Sequence, residues 1–166
     1  MKRLFVSATV LLVFALNLLC SARSSESIEE GSKPGTMPIV GHLDIPRLHI
    51  SVTVLEGSEE NVLSVAAGHI EGTALPGHPG NVGIAAHRDT FFGSLGRIRP
   101  NDIITVRTTS GSFRYVVNST EVVAPTKVEV LHQTTNAELT LVTCYPFRYK
   151  GASPQRFIVH AKSVDQ

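Results

Sequence analysis

At 166 residues the chain has room for one domain with appendages and is long enough to bury a core. A net charge of +1, from 15 Lys and Arg against 14 Asp and Glu, excludes the basic footprint of a nucleic-acid binder and any acidic tail. The absence of Trp, the many Val, Ile and Thr, and the 13 Gly and 9 Pro favour a mainly β domain.

Met1 to Ala22 has the pattern of an export segment, with Lys2 and Arg3 ahead of an apolar run from Leu4 to Cys20. Two fates fit it: a signal peptide cleaved after Ala22, or a retained transmembrane anchor at the short end for a span. Either one puts the bulk of the protein outside the cytoplasm. Residues 23–38, rich in Ser, Glu, Gly and Pro, read as a flexible linker, and the folded domain is expected over residues 39–166.

Gly41 to Ile50, interrupted at Pro46, and Ser51 to Leu55 read as edge-type strands. Ser58 is placed to cap a short helix through Val62, Leu63 and Val65–Ala67 that stops at Gly68. Pro76-Gly77 and Pro79-Gly80 mark a tight loop before a strand of small residues, Asn81 to Ala86, which delivers His87 at its end. Asp89 to Gly93 opens a turn or short helix, with Phe91 and Phe92 as core or as an apolar wall. Ile103 to Thr108 and Phe113 to Asn118 flank Ser110-Gly111 as a hairpin. After Pro125 a mixed connection containing His132 leads to Leu139–Cys144, and a loop separates this run from Arg156 to Ala161. No internal repeat is present. These elements add up to a closed or nearly closed β-barrel with one or two short helices.

Cys20 belongs to the export segment, so Cys144 is left as a lone thiol in an exported domain, where oxidation normally pairs thiols. It is either a buried inert residue or a nucleophile kept free. Antiparallel pairing of the last two runs sets Cys144 beside Arg156, a thiol and a guanidinium suited to chemistry on a carbonyl. His87, at another strand end, is the best candidate base or imidazolium partner among seven His. His132, in a loop, is a candidate for touching substrate. Arg88 and Asp89 read as an ion pair or turn cap. No His-x-x-x-His or Cys-x-x-Cys spacing supports a metal site on His69, His78, His87 and Cys144, and neither metal nor cofactor is expected.

Thr140-Leu141-Val142-Thr143-Cys144, followed by Pro154-Gln155-Arg156-Phe157, resembles the signature of the sortases. Asn81 through Ala85-Ala86-His87-Arg88-Asp89-Thr90, with Thr73-Ala74-Leu75-Pro76-Gly77 ahead of it, is similar to the histidine segment of class D members. Leu43-Asp44-Ile45-Pro46 is similar to the start of that domain. The resemblance runs from Gly41 to Ala161. Ala86 departs from it where many relatives have Gly, and Arg99-Pro100-Asn101-Asp102 replaces a more usual Gly-Asp turn.

The resemblance implies a closed eight-stranded sortase-type barrel and a cysteine transpeptidase. Cys144 would attack an LPxTG-like sorting signal on secreted proteins, His87 would act as acid and base, and Arg156 would hold the substrate carbonyl. Thr143 and Tyr145, flanking the nucleophile, would bind substrate. The acyl group would pass to an amine on a cell-wall precursor or a protein, with the N-terminus associating the enzyme with the membrane. Two alternatives stand beside it: a hydrolytic cysteine peptidase on the same barrel, and a non-catalytic exported β-barrel that binds peptide or cell-wall material.

Overall fold

The computed structural model describes residues 37–149 and 151–164; the export segment and most of the linker lie outside them. Eight strands form: β1 (Ile39–Ile45), β2 (Ile50–Glu56), β3 (Ala67–His69), β4 (Gly80–Ala85), β5 (Ile103–Thr108), β6 (Gly111–Val123), β7 (Ala137–Tyr145) and β8 (Gln155–Ser163). They close into one barrel in the order β1-β2-β3-β4-β7-β8-β6-β5, with β5 returning to pair with β1. β2–β3 and β4–β7 are parallel pairs and the other six are antiparallel. Closure leaves no long edge open, and it confirms the mainly β barrel.

Alternation along the strands builds the core. Leu43 and Ile45, Val52 and Val54, Val82 and Ile84, Leu139 and Leu141, and Val159 and Ala161 all point inward at period two. Phe92 is fully buried among them and Phe91 packs against them. Pro46 does end β1, opening a 3-10 turn (Pro46–Leu48) after which His49 takes a left-handed conformation (φ 54°) and β2 begins. The β5–β6 hairpin turns one residue earlier than expected, since Gly111 pairs with Thr108.

The predicted helix is the main local error. One turn forms, α1 (Glu60–Leu63), preceded by Glu59 rather than a capping Ser58, and no side chain caps it. Ala67, expected as the last helical residue before Gly68, instead opens β3, which pairs Val54 with Ala67 and Glu56 with His69. A buried ladder outweighs a weak helical preference over so few residues. Gly68 permits it: a Cβ there would sit 2.2 Å from Gly57 O. His69, considered above as a metal ligand, is structural. Its Nδ1 meets Glu56 at 3.0 Å and its Nε2 meets Ala74 O at 2.9 Å.

The transmembrane expectation is corrected. Among the described residues no helix is long and apolar enough to cross a membrane. The stretch on which that expectation rested, Met1–Ala22, falls outside those residues.

The atypical turn at 99–102 explains itself. Asn101 (φ 72°) adopts the left-handed conformation for which a glycine is usual, and Asn tolerates it. Asp102 receives Arg47 Nε and Nη2 at 2.5 Å each and Arg99 N at 2.7 Å. The Arg47 guanidinium holds this carboxyl below the usual carboxylate range. A depressed folded-state value means that the pair stabilises the fold above the unfolded carboxyl value, near 4, and loses that contribution as pH falls below it. Thermal melts from pH 7 to pH 3 should therefore show Asp102→Asn with a lower midpoint than wild type at pH 7 and a smaller further fall on acidification.

Candidate active site

Three neighbouring strands, β4, β7 and β8, carry the candidate residues at one end of the barrel. On the antiparallel side Cys144 pairs directly with Arg156. On the parallel side the ladder runs from Gly80 opposite Ala137 to Ala85 opposite Val142, and Ala86 N donates to Val142 O at 3.2 Å. Two residues past Ala85, His87 is thereby carried level with Cys144 on the other flank. The inward set (Val82, Ile84 and Ala86; Leu139 and Leu141; Val159 and Ala161) fixes the alternate residues Ala85, His87, Val142, Cys144 and Arg156 on the outward face. All five line one cleft of about 210 Å³, together with Thr143, Ala86 and Leu63 of α1. Larger clefts elsewhere lack any thiol, and chemistry rather than size singles this one out.

Cys144 is half-buried and unpaired. Arg156 Nη1 donates to Gln155 O at 3.0 Å and Ser153 O at 3.3 Å, which steadies the guanidinium and leaves its other donors for a ligand. His87 is one-third exposed, and its Nε2 lies 3.4 Å from Glu60 Oε1 at the start of α1. Glu60 was not singled out in the sequence, where it is only an acid in a first helical turn. A thiol between an imidazole and a guanidinium is equipped for nucleophilic attack, proton transfer and stabilisation of an oxyanion.

The expected substrate contacts separate. Thr143 lines the cleft, but it is 3 % exposed and its hydroxyl donates to Ala86 O at 2.7 Å. That bond ties β7 to the residue before His87. Tyr145 stacks with Phe157 (centroids 6.4 Å apart) and meets Phe147 edge-on at 6.0 Å, outside the cleft lining. His132 is not brought to the cleft. Its carbonyl accepts from Asn81 Nδ2 at 3.4 Å, near the opposite end of β4. Among the described residues no group of His, Cys, Asp and Glu is arranged to hold a metal ion.

A family model described as "Sortase domain" matches residues 43–164. Sortase D of Bacillus subtilis is 32 % identical over 133 residues, covering 80 % of this chain and 67 % of that protein. Sortase A of Streptococcus agalactiae is 27 % identical over 149 residues, and this chain spans only 59 % of its length. Among solved structures, a Clostridium perfringens sortase D5 transpeptidase superposes with a TM-score of 0.70 at 31 % identity, covering 81 % of this chain and 83 % of that one.

Proposed function

The chain belongs to the sortase family of cysteine enzymes, and from that premise we propose that it is an exported transpeptidase acting on LPxTG-like sorting signals through Cys144. The observation that carries this reading is the alignment of His87, Cys144 and Arg156 on three adjacent strand ends and one outward face.

The Cys144 thiolate attacks the scissile carbonyl, and the guanidinium of Arg156 takes up the charge that develops on its oxygen. His87, as imidazolium, gives its proton to the leaving amine, which departs and leaves a thioester on Cys144. An incoming amine from a cell-wall precursor or a protein attacks that thioester. His87 accepts the amine's proton, the C–S bond breaks and a new amide is released. Thr143 acts by holding Ala86, and with it the approach of His87 to β7, rather than by touching substrate.

The test uses the full chain with a fluorogenic LPxTG-type peptide and an excess of amine acceptor, read by mass spectrometry. A product joined to the amine is expected. Release of the cleaved acid alone, across several acceptors, would replace this reading with that of a hydrolytic peptidase on the same barrel.

Glu60 should matter little. Its side chain is 83 % exposed, and exposed ion pairs contribute about 0–1 kcal/mol. Glu60→Gln is therefore expected to leave kcat/KM within about fivefold of wild type, an interval set by that same energy.

A further inference from the structure

Arg88 follows His87 directly, yet its side chain is given over to a distant segment. It is 7 % exposed. Nη1 donates to Pro146 O at 2.9 Å and to Ser153 Oγ, while Nη2 donates to Tyr149 O at 2.9 Å and Gly151 O at 3.3 Å. Nε faces Asp89 Oδ1 at 3.5 Å, and the Tyr149 ring centroid lies 5.8 Å from the guanidinium carbon. A buried cation persists only where charge-assisted bonds replace its water. Here four acceptors do so, and all of them come from the connection between β7 and β8.

That connection leaves from Cys144 and returns with Arg156. Pro146 stands two residues after the thiol, and Ser153 three before the guanidinium. Ser153 links both arginines, offering its Oγ to Arg88 and its carbonyl to Arg156 Nη1. The ladders fix Cys144 against Arg156, but they do not reach His87. The last bonds between β4 and β7 are made at Ala86, by its N–H to Val142 O and its carbonyl to Thr143 Oγ1. Beyond them, among the described residues, His87 O accepts only from its own turn, from Phe92 N at 3.1 Å and Thr90 N at 3.4 Å.

The geometry points to Arg88 as a positioning residue: its guanidinium locks the strand end that presents His87 to the connection joining Cys144 and Arg156. This rests on the function proposed above. A planar fork spans four acceptors on separate residues, and the single ammonium of a lysine does not. Misplacement of a reacting group by about 1 Å costs on the order of 100-fold in rate.

The experiment compares wild type, Arg88→Ala and Arg88→Lys as full chains, with thermal melts to establish that each is folded at the assay temperature. For Arg88→Ala, kcat is expected to fall about 100-fold while KM stays within about twofold, and added methylguanidinium should restore part of the loss. Arg88→Lys should remain impaired. Wild-type kcat in either variant would overturn the assignment, as would a loss that equals the unfolded fraction and is not relieved by methylguanidinium. If wild type itself turned over no peptide, the functional reading would fail separately, and alkylation of Cys144 by iodoacetamide across pH would decide the role of Arg88. A displaced profile in Arg88→Ala supports it, and superimposable profiles overturn it.

Discussion

Cys144→Ala is expected to abolish both cleavage and amide transfer, a fall on the order of 10⁴-fold or more when the nucleophile of a concerted set is removed. No other thiol among the described residues stands near the cleft to substitute for it. The fold should scarcely notice. Cys144 faces outward, half-buried at the end of β7, and it is absent from the packed interior built by Leu139 and Leu141. The melting midpoint should therefore stay within a few degrees of wild type, because roughly 1 kcal/mol moves a domain of this size by a few degrees. Intact-mass analysis after exposure to peptide without acceptor provides the second readout: a thioester adduct on wild type and none on the variant. A variant that still formed joined product would remove Cys144 from the mechanism.

Arg156→Lys is expected to lower kcat by about 10² to 10³, the range seen when a donor to a developing oxyanion is lost. The positive charge survives this change, so a purely long-range electrostatic role would predict a small effect. The guanidinium is instead held as an oriented fork, with Nη1 bonded to Gln155 O and Ser153 O and the remaining donors available to a carbonyl. A lysine ammonium lacks the plane needed to keep both backbone bonds while pointing at substrate. The loss should fall mainly on kcat, with KM changing much less, since the contact strengthens as charge develops on the oxygen. Single-turnover kinetics should show slowed thioester formation. A lysine variant with wild-type kcat would mean that charge alone suffices.

The two predictions draw on different amounts of sequence information. The neighbouring positions of Cys144 and Arg156 follow from two consecutive strand-like runs joined by a loop, because a hairpin places the end of one beside the start of the next. His87 has no such local argument. Its place depends on β4 lying parallel to β7, more than fifty residues away in sequence, and a parallel neighbour leaves no signature in either strand alone. A strand end and an imidazole made His87 a candidate, but only the family resemblance joined it to Cys144 and Arg156. Arg88 shows the same limit more sharply, since adjacent Arg88 and Asp89 suggested an ion pair or a turn cap. That pair exists at 3.5 Å, but it is the lesser part of what the side chain does.

By itself the sequence determined the mainly β character, the alternation that separates Val82 and Ile84 from Ala85 and His87, the free thiol at a strand end and the family. All of these are properties of neighbouring residues, set by period two, by turn-forming Gly and Pro, and by short motifs. The tertiary structure alone decided that Ala67–His69 is a strand, that β5 closes on β1, that His132 belongs at the far end of β4, and that Arg88 binds the β7–β8 connection. Each of these outcomes is a contact between segments remote in the chain, and its free energy comes from burial and hydrogen bonding that exist only once both partners are in place.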